Sequence, residues 1–411
     1  MSSGRHEAHA GSANLRLVHL SDLHLGFRQY QRLTAAGINQ READVAQAFR
    51  NAIDRTIGLK PDLVLIAGDV FHNVRPTNPA ILHAFAQFSR LVQSLPDAIV
   101  VVVAGNHDTP RASETGCILK LFQPLGIHVV ADKAERLAFP DRDLSILAVP
   151  DAQWGRPALT PDPSARYNVL ILHGEVEGVL PDHARSTDRA SIAIPPADIG
   201  PSRWSYVALG HYHVYHQIAP NAYYSGSLDY TSTNSWGEIS EERDAGIKGK
   251  GIVEHDLKTG EHHFHSLPVV RRWIDLRSFS ARGMSAAELD AAIRKAIEEC
   301  EGSIEDCVIR LLAHDVPRHI ARELDQRALR EFRRRALHFH LDTRRPEMIR
   351  THGHGAPGRR PSLRDIVRDK LRSRIMESEL SREALVELGT RYLDEVDRLD
   401  TTPRASAEGM Q

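Results

Sequence analysis

Residues 62–67 end in an unbroken apolar run, Leu63-Val64-Leu65-Ile66-Ala67, which stops on Gly68-Asp69. A run of that length without polar alternation is what a strand buried on both faces of a mostly parallel sheet requires. A carboxylate at the end of such a strand lies in the crevice where open α/β folds bind ligands. Taken singly, Gly-Asp after a strand is also ordinary turn chemistry. The pattern recurs along the chain, however, with metal-binding residue types each time.

The first strand, 15–20, runs into Ser21-Asp22-Leu23-His24, and the spacing of two predicts Asp22 and His24 on one side of an extended backbone. Val45, Phe49 and Ile53 predict a helix over 43–57, a crossover to the strand that ends at Asp69. A second helix is expected over 79–95, with Ile81, Leu82, Phe85, Phe88 and Leu91 facing inward. Strand 99–104 then ends in Gly105-Asn106-His107-Asp108. Short strands over 127–130 and 144–149 precede an apolar strand, 168–172, that ends on His173-Gly174. After a polar surface excursion over 175–201, strand 206–209 leads into Gly210-His211-Tyr212-His213. Residues 223–230 read as a turn, and 251–256 with 262–267 as a closing hairpin.

Five strand ends thus present Asp22, His24, Asp69, Asn106, His173, His211 and His213. These are too many oxygen and nitrogen ligands for one ion, whereas two ions sharing Asp69 use them well. A bridged pair about 3.5–4 Å apart clamps both the attacking and the leaving oxygen of a phosphate ester. Mixed nitrogen and oxygen donors without thiolate suit manganese, iron or zinc. His107, directly after Asn106, is placed to reach the phosphate or the leaving oxygen, with Asp108 expected to fix its tautomer.

The 411 residues exceed what one core usually supports, so two domains or one large domain with appendages are expected. Hydrophobic residues at 41% and charged residues at 26% describe an ordinary globular chain, with no apolar run near the length of a membrane span. Lys+Arg 52 against Asp+Glu 54 leaves a net charge of −2, so a polyanion must be met by a local patch. Three cysteines, Cys117, Cys300 and Cys307, are too few and too scattered for a disulfide framework or a zinc ribbon. Residues 1–14 are small and polar, lack the core of a secretory signal and read as a disordered tail, which makes a cytoplasmic location the default.

Residues 15–268 therefore form the expected catalytic domain, and Pro268 marks its end. Over 269–350 a smaller α/β unit is expected, with strands 273–276 and 306–312, a helix over 286–300 and a basic helix over 322–332. Gly and Pro make 351–361 a linker. The segment 362–400 holds two amphipathic helices, which either dock on a partner or fold back onto their own chain, and 401–411 is a tail.

Taken in order, Asp22-Leu23-His24, Gly68-Asp69, Gly105-Asn106-His107-Asp108, His173-Gly174 and Gly210-His211-Tyr212-His213 resemble the five motifs of calcineurin-like metallophosphoesterases. Within that superfamily Asp69-Val70-Phe71-His72, followed by Arg75-Pro76, resembles the SbcD-type nucleases. The Val-Asp-Arg-Gly continuation and the Glu after Asn-His that mark protein Ser/Thr phosphatases do not occur. The resemblance implies an α/β fold, an αββα sandwich with a small α/β capping domain and C-terminal helices, and two manganese ions. By motif match Asp22, His24, Asp69 and His213 would hold one ion, and Asp69, Asn106, His173 and His211 the other. His107 would be the catalytic histidine, and His72, which is Asp in some bacterial members, would help position the scissile phosphate or the DNA strand.

The family acts on DNA with an SbcC-type coiled-coil ATPase, which the helices over 363–375 and 385–399 would engage, and a homodimer is its usual state. Arg330, Arg333 and Arg334, with Arg359 and Arg360, are candidate contacts to backbone phosphates or else solvated helix faces. The resulting expectation is a metal-dependent DNA nuclease. A phosphodiesterase for cyclic nucleotides or other small diesters and a catalytically idle DNA-binding subunit are the competing readings.

Overall fold

The apolar runs become strands, and alternation along each strand sends neighbouring side chains into different cores. The computed structural model describes residues 15–110, 116–151, 158–179, 193–346, 363–373 and 381–400. In chain order come β1 (Arg16–Leu20), α1 (Gln40–Leu59), β2 (Leu63–Ile66), α2 (Asn78–Ser94), β3 (Ile99–Val103), β4 (His128–Val130), β5 (Glu135–Phe139) and β6 (Leu144–Val149). These are followed by β7 (Tyr167–His173), β8 (Glu175–Val176), β9 (Ala193–Ile194), α3 (Pro196–Ile199), β10 (Tyr206–Gly210), β11 (His216–Ala219) and β12 (Ala222–Tyr224). Helix α4 (Ser235–Asp244) and the hairpin β13 (Gly251–Asp256) and β14 (His262–Ser266) complete this part.

Two six-stranded sheets result, ordered β14-β13-β1-β2-β3-β4 and β11-β12-β10-β7-β6-β5. β1 to β4 run parallel, as do β6, β7, β10 and β12, while antiparallel strands close every edge except that at β4. Leu17, Leu63 and Leu65 from the first sheet meet Ile146, Val169 and Ala208 from the second in the core between them. Their neighbours Val18, Val64 and Ile66 face the other way, against Val45, Phe49 and Phe88 of α1 and α2. The outer face of the second sheet is covered by Leu159, Ile194, Ile199 and Trp204. The inter-sheet layer also holds polar rings: His19 Nδ1 lies 3.1 Å from the Tyr206 hydroxyl, and burial pushes the His19 pKa down to about 3.

A third sheet, β15 (Trp273–Ser280), β16 (Val308–His314) and β17 (His338–Thr343), is all parallel. Its crossovers are α5 (Ala286–Glu298), then α6 (Arg318–Glu323) and α7 (Gln326–Arg335). Ser285 and Glu288 form a capping box at α5, and Leu289, Ile293, Leu311, Phe332 and Phe339 share a separate core. This cap is tied to the catalytic part through Arg271 and Asp44, through Arg32 and Asp306, and through Tyr30 stacked on His338 at 4.0 Å. Buried Arg41 pairs with Asp44 and Asp229 and lies 5.5 Å from the Trp273 ring. The chain divides into two compact units at Pro346, so that the cap and the catalytic part belong to one of them. In the other, α8 (Leu363–Ser373) and α9 (Arg382–Asp400) pack on each other with Gly389 against Leu371, and Ile366, Leu388 and Tyr392 are exposed.

Several local expectations change. The basic helix over 322–332 is two helices, because Asp325 caps α7 by accepting from Arg327 and Ala328 N–H. Residues 222–224 are strand, not turn, since parallel pairing with β10 satisfies their backbone. β5, β11 and β17 are strands that the sequence does not announce; the first two carry exposed side chains, as edge strands do, and so lack an apolar run. On α2 the buried residues are Ala80, Ala84, Gln87, Phe88 and Leu91, whereas Leu82 and Phe85 are 71% and 38% exposed. The tails 1–14 and 401–411 and the linker 351–361 lie outside the described residues.

Candidate metal centre

All the motif residues leave the same ends of the parallel strands. β1 delivers Asp22 and His24, β2 Asp69, β3 Asn106, β7 His173, and β10 His211 and His213. The loops stay knitted beyond the strands: Asp22 N–H donates to Gly68 O at 3.0 Å, His24 N–H to Asp69 O at 2.9 Å, and Gly174 N–H to Gly210 O at 3.2 Å. Extended alternation does not aim the side chains, contrary to the simple spacing argument. Asp22, His24, Asp69 and His211 have φ of 53°, 46°, 51° and 108°, a left-handed region that side chains rarely enter. The glycines supply room. A Cβ on Gly105 would strike the Asp69 carboxylate, and one on Gly210 the carbonyl of Ala67.

The ligand atoms converge. Asp22, His24 and His213 form one group, and Asp22, Asp69 and His173 another, with the atoms in each within 4.8 Å of one another. Asp22 belongs to both groups, and Asp69 Oδ2 lies 3.4 Å from His173 Nε2 in its own group and 3.8 Å from His24 Nε2 in the other. His24 Nε2 and His213 Nε2 approach to 3.0 Å, and Asn106 Oδ1 is 3.0 Å from His173 Nε2. The His211 ring packs edge-on to His173 at 5.5 Å, and its backbone N–H donates to Asp22 at 3.1 Å. Imidazole nitrogens facing one another beside two buried carboxylates, with no sulfur, are a donor set that fits divalent metal.

Charge in the cluster follows from burial set against neighbours. Burial keeps His24 well below its usual pKa, helped by His213. Burial lowers His211 to about 3, with His173 adding to the effect. Burial opposes the charged forms of Asp69 and His173, yet their mutual attraction wins, holding Asp69 well down and lifting His173 to about 10. Neutral His24 and His211 with an ionised Asp69 suit a cation, whereas His173 must give up the proton that Asp69 holds on it before it can bind metal.

His107 N–H donates to Asp69 Oδ1 at 2.9 Å, and its ring stacks on His72 at 5.3 Å and meets His24 edge-on at 4.9 Å. His107 Nδ1 bonds to the His72 carbonyl at 2.8 Å, which makes Nε2 the basic nitrogen of the neutral ring. Asp108 therefore has another task than the tautomer control expected of it. Its oxygens accept from Phe71 N–H at 2.9 Å, Val70 N–H at 3.0 Å and Gly105 N–H at 3.1 Å, clasping the Asp69 and Asn106 loops together. Burial, then the neighbouring Asp69, raises its pKa to about 7 against those donors.

Sequence reasoning missed the residues behind the ligands. Ser21 Oγ donates to Asp22 Oδ2 at 2.5 Å and lies 2.8 Å from Ser225 Oγ. Glu238, on the unforeseen helix α4, approaches His213 Nδ1 at 3.4 Å and is bound by Lys250. Burial opposes its charge, but Lys250 and His213 together outweigh burial and hold its pKa down to about 2. No signal in the sequence singles out these polar residues, because α4 has no apolar stripe to announce it. Arg330, Arg333 and Arg334 lie on α7 of the cap and join none of the ligand groups, and Arg359 and Arg360 lie outside the described residues.

The family model described as calcineurin-like phosphoesterase matches residues 15–226, the span that carries all seven candidate ligands. The chain belongs to that family. It is thus a metal-dependent phosphoesterase, with the α/β fold and divalent-metal chemistry of its family. The DNA double-strand break repair protein Mre11 of Methanococcus maripaludis is 24% identical over 298 residues, which cover 70% of this chain and 74% of that one. Mre11 of Methanocaldococcus jannaschii is 24% identical over 300 residues, covering 71% and 74%, and that of Thermoplasma acidophilum is 27% identical over 261 residues, covering 59% and 62%. Among the described residues no helix is long and apolar enough to cross a membrane.

Proposed function

We propose that this phosphoesterase is a two-metal DNA nuclease of the SbcD type that cleaves phosphodiesters in double-strand-break repair in the cytoplasm. The observation that carries the two-metal reading is Asp69 Oδ2 at the corner between His24 and His173. Similarity to the Mre11 repair proteins over about seven tenths of the chain supports DNA as substrate. Asp22, His24, Asp69 and His213 would hold one ion, and Asp69, Asn106, His173 and His211 the other, manganese in both. When bound, the ions supply Lewis acidity toward the phosphate and acidify the attacking water.

The chain's own residues do the rest. The Asp69 loop and the Asn106 loop, clasped by Asp108, keep the ligands in register. His107, with Nδ1–H held by the His72 carbonyl, meets the phosphate or the leaving oxygen through Nε2. His72, stacked on His107, helps position the scissile strand. Arg330 and Arg333 are exposed on α7 and suit contact with backbone phosphates.

Two partners complete the proposal. The exposed Ile366, Leu388 and Tyr392 on α8 and α9 offer apolar anchors to an SbcC-type coiled-coil ATPase. Leu82 and Phe85 on α2, with Leu121 on the turn packed against α2 through Phe122 and Phe88, suit a second copy of the chain.

The deciding experiment incubates the purified chain with linear duplex DNA and, in parallel, with a small chromogenic phosphodiester, in manganese and in chelator. Manganese-dependent loss of DNA is expected. Hydrolysis of the small diester with DNA left intact, even after the ATPase partner is added, would replace the nuclease by a small-substrate phosphodiesterase.

A further inference from the structure

Two imidazoles around the crevice have Nδ1 held by a main-chain carbonyl, and a third, His213, has Nδ1 at ion-pair distance from a side chain. His173 Nδ1 bonds to the Ala67 carbonyl at 2.8 Å and His107 Nδ1 to the His72 carbonyl at 2.8 Å. His213 Nδ1 instead faces a carboxylate, Glu238 Oε1, at 3.4 Å. Lys250 Nζ binds Glu238 Oε2 at 2.5 Å and Glu242 Oε1 at 2.9 Å, and it donates to the His213 carbonyl at 2.8 Å. One ammonium thus holds both the backbone of His213 and the group that faces its ring.

The network is buried and built from both ends of α4. Asn234 caps the helix four residues before Glu238, and the Tyr230 hydroxyl donates to Glu242 Oε2 at 2.6 Å. Lys250 Nζ sits 4.6 Å from the centre of the Tyr230 ring. Two carboxylates against one ammonium leave a net negative charge, which favours an N–H over a lone pair at His213 Nδ1.

We propose that Glu238 is a positioning residue: it accepts the Nδ1 proton of His213, fixing the ring so that Nε2 is presented to metal as a neutral, basic donor. The inference rests on His213 being a ligand. A carboxylate behind a ligating imidazole raises its basicity and locks its orientation, and losing such a partner typically weakens metal binding about 10- to 100-fold. The effect falls on one ion. His173, oriented by the main chain, is untouched by any change at Glu238.

The test is calorimetric titration of the metal-free full chain with manganese chloride, together with a metal count after desalting. Glu238→Gln keeps the shape, and Lys250 stays paired with Glu242. It is expected to weaken one of two manganese sites about 10- to 100-fold and to spare the other. Glu242→Gln is the matched control, because it perturbs the same Lys250 network without touching His213, and both sites should keep parental affinity. Equal weakening by the two variants would reduce Glu238 to structural support and overturn the proposal, as would parental binding by Glu238→Gln.

His213→Asn separates the two layers. If it binds both ions as the parent does, the ligand assignment itself fails. If it loses one ion while Glu238→Gln loses none, only the positioning role fails. Should circular dichroism show Glu238→Gln unfolded, Glu238→Asp carries the same test: it keeps a charge for Lys250 and draws the carboxylate back from Nδ1, so one site should weaken and parental affinity would overturn the proposal.

Discussion

The crevice and helix α7 are both polar, and they are built on opposite terms. In the crevice Asp22, His24 and Asp69 are at most 2% exposed, and all have positive φ. On α7, Arg330 and Arg333 stand exposed on regular helix whose Leu329 and Phe332 face the cap core. Left-handed backbone at non-glycine residues costs about 1–3 kcal/mol each and persists only where the surroundings over-determine it. Here the paired loops, the Asp108 clasp and the space left by Gly105 do so. Exposed charges need no such scaffold, and beyond about 10 Å salt screens them. Chemistry that depends on position sits where geometry is enforced, and attraction that depends only on sign sits on the surface.

The largest effect is expected where Asp69 stands between His24 and His173. Asp69→Ala should abolish cleavage to the buffer background and remove bound manganese, measured by metal content after desalting. Retention of both ions would show that Asp69 is not shared between them. His107→Asn should keep the metal and slow cleavage by about 100- to 10,000-fold. A parental rate would end its catalytic assignment.

Arg41 is as buried as the candidate ligands but sits under the cap. Arg41→Met leaves Asp229 without its guanidinium and should destabilise the fold by about 3–5 kcal/mol in a denaturant titration. A loss under about 1 kcal/mol would mean that water reaches the pair in solution. The smallest effect belongs to α7. Replacing Arg330 and Arg333 by Ala should lower the salt dependence of DNA binding by about two counterions and leave small-diester hydrolysis at the parental rate. An unchanged salt slope would make that face of the helix merely solvated.

Burial separates what could be read from what could not. The strands carrying Asp22, Asp69, Asn106, His173 and His211 were legible because a strand buried on both faces needs an apolar run, and its end is marked by glycine. The edge strands β5 and β11 have exposed side chains and leave no such trace. The inward face of α2 was misread because Ala80 and Ala84 pack closely where Leu82 and Phe85 do not.

Local apolar runs and donor chemistry are enough to give the order of the candidate ligands, the residue types at each strand end and a donor set suited to divalent metal. Tertiary structure decided which partner orients each imidazole. His107 is held by the His72 carbonyl and not by adjacent Asp108, and His213 faces Glu238, 25 residues further along the chain. Such bonds join groups that only the packing of the loops and α4 brings within reach. Hydrogen bonding works over about 3 Å, a distance that sequence separation does not encode.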